Sequence, residues 1–141
     1  MQTFLHQGED FKFGAAQLDY RRCGKQRVEG YQILRTLMGV SKGWSNHPAV
    51  KMWKGWEEAL AWYTIDHCYD WVFNRGYKDT IADKVYEMFP QLPPPHMVLT
   101  PPWLDDVVES HRSNLIRKFP EHYGPLWPDT PDNLPYVWPV K

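Results

Sequence analysis

Cysteine is scarce: only Cys23 and Cys68 occur in 141 residues. Two thiols cannot staple a disulfide scaffold, and the spacings C-x-x-C and H-x-x-x-H are absent, so the sequence predicts no metal site. Gly-rich phosphate loops and a G-x-S-x-G elbow are missing as well, and no cofactor is expected. No stretch approaches the roughly 20 apolar residues of a membrane span. The opening Met1–Phe13 carries Glu9 and Asp10 without a long apolar run, unlike a secretion signal, so a cytoplasmic protein is expected. Strand-like alternation of useful length is lacking, which points to an all-α fold. Charge of one sign is also lacking. Formally the chain carries −1, so no global field draws it to a polyanion, and a nucleic-acid role requires a local basic patch.

What the chain has in plenty is aromatic residues, 16% of the total with eight Trp and eight Tyr. Each Trp and Tyr has a polar edge that needs a partner once buried. Filling a shallow core accounts for most of them; stacking on bases or sugars is the alternative for the remainder.

The expected architecture is a compact, irregular helical single domain over residues 1–141, with a Pro-rich extended strap and a C-terminal tail. Asp10 is placed to cap a helix over 11–20. A second helix runs from about Arg22 to Met38, with Gly30, Ile33, Leu34, Leu37 and Met38 on one face and Gly39 ending it. His47-Pro48 starts a short helix after a loop containing Gly43 and Trp44. Residues 56–74 form the most strongly patterned helix. One stripe holds Trp56, Leu60, Tyr63, His67 and Trp71, the other Trp62, Ile65, Tyr69, Val72 and Phe73, so this helix is expected to be central. A shorter helix follows over 80–89. Five prolines between Pro93 and Pro102 keep that segment extended. A last helix spans 103–119 with Pro120 stopping it, and the aromatic tail is expected to pack back on the body.

Three segments are candidates for chemistry. In Asp19–Glu29, the residues Arg22, Lys25, Gln26 and Glu29 share a helical stripe opposite the apolar face, suited to holding a phosphate beside a carboxylate that stabilises positive charge. The pairs Arg22/Gln26 and Lys25/Glu29 on a solvated face would give the same spacing. Arg27 falls on the other side. The segment Ser110–Lys118 carries Arg112, Arg117 and Lys118 and no acid, with His111, Asn114 and Lys118 on one face. That pattern suits phosphate positioning, or equally a basic helix end answering its own dipole. In Gly43–Pro48, Trp44 with Asn46 and His47 can stack on an exposed base and read its edge, or simply anchor a loop.

In this order the segments resemble the pyrimidine-dimer DNA glycosylase (endonuclease V-like) family, and its bacterial and phage branch above all. That branch shares an L-D-x-R-R-x-G-K-Q-R-V-E block, present here as Leu18–Glu29. Asn46–Trp53, Ser110–Leu115 and the closing Leu134–Pro139 also look like it. The resemblance spans nearly the whole chain. It implies a helical DNA-repair protein that flips damaged nucleotides. It further implies that a terminal amine attacks C1′, that a helix-borne glutamate beside arginines stabilises the cationic sugar, and that an imine then permits β-elimination. Carried onto this chain, those roles fall on Arg22 and Glu29, with Arg27 as a further arginine. Gln2 is bulky enough to keep the initiator methionine in place, so the amine is that of Met1 or of a lysine such as Lys25. An α-amine is roughly a tenth neutral at pH 7 and a lysine well under a thousandth, which favours Met1. Nucleic-acid contacts are expected from Lys25, Gln26, Arg27, Trp44, Asn46, His47, His111, Arg112, Asn114, Arg117 and Lys118, those to phosphate from Arg22, Lys25, Arg112 and Arg117, and DNA is the expected partner of a monomer. Two other readings stay open: a divergent DNA- or modified-nucleotide-binding homologue without lyase activity, and a helical protein with no nucleic-acid role.

Overall fold

The structure, a computed structural model, describes residues 1–140. Among them are seven α-helices and no strand, so the all-α expectation holds. Asp10 accepts from the Phe13 amide at 3.2 Å and starts α1 (Phe11–Gln17). α1 ends before residue 20 because Leu18 turns extended and Asp19 caps the next helix, accepting from the Arg22 amide at 3.4 Å. α2 (Tyr20–Leu37) buries Gly30, Ile33 and Leu34 as expected, but Met38 is left 44% exposed. Gly39 takes φ +79° and closes the helix.

α2 packs most extensively against α4 (Glu57–Tyr69). Two glycines set that crossing. A Cβ at Gly30 would lie 2.3 Å from Thr64 Oγ1, and one at Gly24 would lie 2.7 Å from the Trp71 ring. Glycine is unfavourable inside a helix, yet here it lets two backbones approach. α4 is central: Leu60, Tyr63, Thr64, Ile65 and His67 are all buried. It widens into a π-helical turn over Asp70–Asn74. The second aromatic stripe is a correction, since only Ile65 in it is buried and Phe73 is 78% exposed.

The short α3 (Pro48–Lys51) is capped by His47, whose Nδ1 accepts from the Ala49 amide at 3.0 Å. α5 (Ile81–Met88) adds Ile81 and Val85 to the core. The Pro-rich strap follows the surface, broken by a 3-10 turn at Pro95–Met97 and pinned where Trp62 Nε1 donates to Pro93 O at 2.8 Å. Leu104–Val107 is a 3-10 turn instead of the start of an α-helix, and α6 covers Val108–Lys118. Phe119 (φ −152°, ψ 75°) breaks α6, and Pro120 then opens α7 (Pro120–Tyr123) as a first-turn proline. The tail does pack back. Ser110 Oγ donates to Pro135 O at 2.8 Å and accepts from the Val137 amide at 2.9 Å, while Arg117 donates to Asp132 O and Leu134 O, each at 2.7 Å.

Gln2 to His6 run through the interior without regular secondary structure, every one of them buried. Such a segment must find partners for its backbone elsewhere. Side chains from three helices provide them. Glu29 accepts from the Gln2 amide (3.3 Å), Gln26 from the Phe4 amide (3.0 Å) and His111 Nδ1 from the Leu5 amide (2.9 Å). Gln26 donates to Gln2 O (3.0 Å), Tyr63 to Phe4 O (3.1 Å) and Arg112 to His6 O (2.8 Å).

Candidate active site

The buried segment delivers Met1 to one side of a cleft of about 870 Å³. α2 forms the opposite side with Arg22, Lys25, Gln26 and Glu29, so the four stripe residues do meet in one place. Only part of the stripe is solvated: Lys25 is exposed and Arg22 partly so, but the other two are not. Gln26 is 1% and Glu29 8% exposed, because the N-terminal segment lies on that side of α2. The pairing also differs from the expected one. Arg22 turns to its own N-cap, Asp19, at 3.1 Å, whereas Lys25 does reach Glu29, at 3.7 Å.

Glu29 has three partners in the cleft. Its Oε2 accepts from Gln26 Nε2 at 3.0 Å and from the Gln2 amide at 3.3 Å, with Lys25 on Oε1. Covalent geometry then keeps the Met1 nitrogen within about 7 Å of Oε2. Gln2 lends its Oε1 to the Thr3 amide at 2.9 Å, which leaves its Nε2 a buried donor without a partner beside the cleft. His47 lines the same space. Burial, and then the Met1 ammonium, hold its imidazole below the usual value, with the Glu29 carboxylate pulling the other way. Because Nδ1 of His47 is occupied as an acceptor, its neutral ring carries the proton on Nε2.

The remaining wall went unforeseen. Asp19, Tyr20 and Arg21 border the cleft, and so do Phe119, Tyr136 and Trp138 from the far end of the chain. Burial alone would raise the Asp19 carboxyl, but hydrogen bonds from Tyr123 and Arg22 outweigh it and leave the group below its ordinary value. Trp138 meets His47 edge-on at 5.8 Å and Tyr136 at 5.6 Å. Asp19, Tyr20 and Arg21 lie within the Leu18–Glu29 block, and Tyr136 and Trp138 within the closing Leu134–Pro139 segment; Phe119 carried no such signal in the sequence.

The second basic segment is corrected in most of its members. His111 is fully buried and holds the Leu5 amide; Asn114 is 5% exposed and donates to Ser110 O at 2.7 Å. Arg112 stacks over Trp127 at 5.3 Å while donating to His6 O, and Arg117 binds the tail. They face inward because both the N-terminal segment and the tail pack against α6. Only Lys118 of this group reaches the cleft. Arg27 is likewise internal, paired with Asp79 and lying 4.7 Å over Trp71, which stacks on Tyr77 at 4.2 Å. Trp44 (φ +66°, 60% exposed) and Asn46 are on the surface outside the cleft lining, and of that loop only His47 belongs to it. His67, expected in the core, donates from Nδ1 to Tyr63 O at 2.7 Å.

The cleft thus sets Arg21, Arg22, Lys25 and Lys118 against the carboxylates of Asp19 and Glu29, a positive local balance in a chain of charge −1. Phosphate-bearing ligands suit such a concave basic surface. The family model of the pyrimidine dimer DNA glycosylases matches residues 1–85, well over half of the chain. The chain belongs to this family. Membership makes DNA carrying pyrimidine damage the substrate class. The matched residues hold Met1, the buried segment, α2 and His47; the cleft is completed by Lys118 and the three aromatic rings beyond residue 85. No curated protein and no solved structure matches the chain. Among the described residues no group of three or more His, Cys, Asp or Glu is arranged to hold a metal ion, and no helix is long and apolar enough to cross a membrane.

Proposed function

We propose that the cleft is the active site of a DNA glycosylase with AP-lyase activity, acting on a damaged or modified pyrimidine through the amine of Met1. The observation that supports this most is the joint between the two reacting ends: the residue carrying the amine is bonded through the next amide to Glu29, within a basic cleft. In this reading the Met1 nitrogen attacks C1′ of a flipped nucleotide. The C1′–N1 bond breaks with its electron pair leaving on the pyrimidine, and the amine gives up a proton. Glu29 stabilises the cationic sugar as that bond opens. The sugar ring opens to an imine at C1′, loses a C2′ proton and expels the 3′ phosphate. Arg21, Arg22, Lys25 and Lys118 hold the flanking phosphates, and His47 offers its Nε2 proton to the leaving base or to a sugar oxygen.

Borohydride trapping on duplexes containing an abasic site or a pyrimidine dimer tests the reaction. The expected result is a covalent adduct that peptide mapping places on the N-terminal peptide, with Met1 retained. Absence of any adduct removes the lyase step. An adduct on the Lys25 peptide would remove Met1 alone and leave the reaction class standing. A second reading is that the protein binds a flipped or modified nucleotide without cleaving it. It draws on Glu29 being already engaged by the Gln2 amide, Gln26 and Lys25. Tight binding to lesion DNA with no adduct would favour it.

A further inference from the structure

Gln26 is the most completely bonded side chain beside the cleft, and nothing in a DNA-contacting role accounts for it. It is 1% exposed. Its Oε1 accepts from the Phe4 amide at 3.0 Å and from the Tyr63 hydroxyl at 2.6 Å. Its Nε2 donates to Gln2 O at 3.0 Å and to Glu29 Oε2 at 3.0 Å. An amide has two acceptor lone pairs and two donor hydrogens, and all four are used. Only an amide does this: a carboxylate has no donor, and an apolar isostere has neither. The Phe4 amide, which can only donate, and the Gln2 carbonyl, which can only accept, fix which end of the amide faces Glu29; the one Tyr63 hydroxyl proton is shared between Oε1 and Phe4 O.

We infer that Gln26 is a positioning residue that locks the Met1-bearing segment and the Glu29 carboxylate into one geometry. The inference rests on the amine–carboxylate reading of the cleft proposed above. It assigns Gln26 no contact with substrate. Its effect runs through two groups at once: the segment is held at Gln2 O and the Phe4 amide, and Glu29 at the oxygen that also takes the Gln2 amide. Near-attack geometry is steep, so loosening both ends slows bond formation while leaving phosphate contacts intact.

The test is the pH dependence of imine trapping by Gln26→Glu beside the wild type. The new carboxylate keeps the acceptor for Phe4 and Tyr63 but sits within hydrogen-bond distance of Glu29, and two such carboxylates share one proton. Below the shared value the pair holds that proton and restores the Glu29 bond; above it the two charges repel. Trapping at pH 7 is therefore expected to fall at least about tenfold, with unchanged affinity for the duplex, and to recover as pH is lowered, moving the optimum down by about one unit. A merely structural role would lower trapping at every pH alike. If wild type forms the adduct and the optimum of Q26E does not move, the inference on Gln26 fails and the proposed reaction stands. A wild type that forms no adduct strikes at the reaction instead. A second measurement needs no variant. In the wild-type protein the Gln26 side-chain amide protons should shift by NMR as Glu29 titrates, and resonances that stay flat through that titration overturn the inference even if Q26E does not fold.

Discussion

Gly30→Ala is the sharpest probe of the α2–α4 crossing. Alanine is favoured over glycine in a helix interior by about 1 kcal/mol, so in open space the change would stabilise. Here the added Cβ meets Thr64 Oγ1 at 2.3 Å, Thr64 Cβ at 3.2 Å and Thr64 Cγ2 at 3.4 Å. Thr64 is fully buried, and its hydroxyl donates to Leu60 O at 2.9 Å. Rotating that hydroxyl away forfeits its bond and still leaves the Cβ contact too close. Overpacking of this kind costs about 1–3 kcal/mol, so net destabilisation of about 1 kcal/mol is expected. Thr64→Ala removes both Oγ1 and Cγ2 and makes the space. The double variant should therefore be more stable than the sum of the single changes by about 1 kcal/mol or more. Denaturant unfolding of the four proteins, with midpoints and slopes compared, gives the cycle. A Gly30→Ala protein about 1 kcal/mol more stable than wild type, or a cycle without coupling, would refute the close crossing. Because Gln26 lies about one turn before Gly30 on α2 and Glu29 directly precedes it, the same shift should also be felt in the cleft.

Further outcomes follow from other parts of the structure. Burial holds His6 and His111 down to about 3 and His67 to about 4. All three are neutral when folded, whereas the unfolded chain takes up protons below about 6.5, so stability falls as pH drops through that range. Asp66, pushed up to about 6 by burial, opposes them by taking up a proton in the folded state. The balance is a loss of about 3 kcal/mol between pH 6.5 and 5, measurable by urea unfolding; stability constant over that interval would contradict the buried, neutral histidines. Lys118→Ala should weaken DNA binding and reduce the slope of log affinity against log salt by about one, because a free cation leaves the cleft. Arg117→Ala should instead release the tail, seen as faster proteolysis between 128 and 138. Both thiols are buried and their pKa values raised, that of Cys23 to about 12, so native protein should resist alkylation while unfolded protein reacts at both.

Local signals in the sequence were read well. Asp10, Gly39 and His47-Pro48 stand at helix boundaries because capping and left-handed backbone are decided within a few residues. The stripe through Leu60, Tyr63 and His67 likewise marked α4 as central, although the second stripe did not hold. Misread were the positions whose environment is supplied from far along the chain. His111 and Asn114 share a face with Lys118 on the helical wheel, but the N-terminal segment and the tail cover the first two and leave only the third in the cleft. Likewise, Gln26 and Glu29 look solvated until Gln2 to Phe4 are laid beside them. Sequence spacing identified the stripe that carries the candidate chemistry; it could not say that three of its hydrogen bonds go to the backbone of Gln2 and Phe4.

The burial of the first residues has a consequence for how this protein comes into being. Leu5 leaves the ribosome early, but its amide partner His111 is 106 residues downstream. Contacts of such sequence separation form late and slowly. During synthesis Leu5 and His6 must therefore wait for α6, whereas Gln2 and Phe4 find their partners on α2 and α4 earlier. The cleft closes fully only with α6 and the tail in place, and a chain interrupted before α6 would lack the His111 and Arg112 bonds that hold Leu5 and His6.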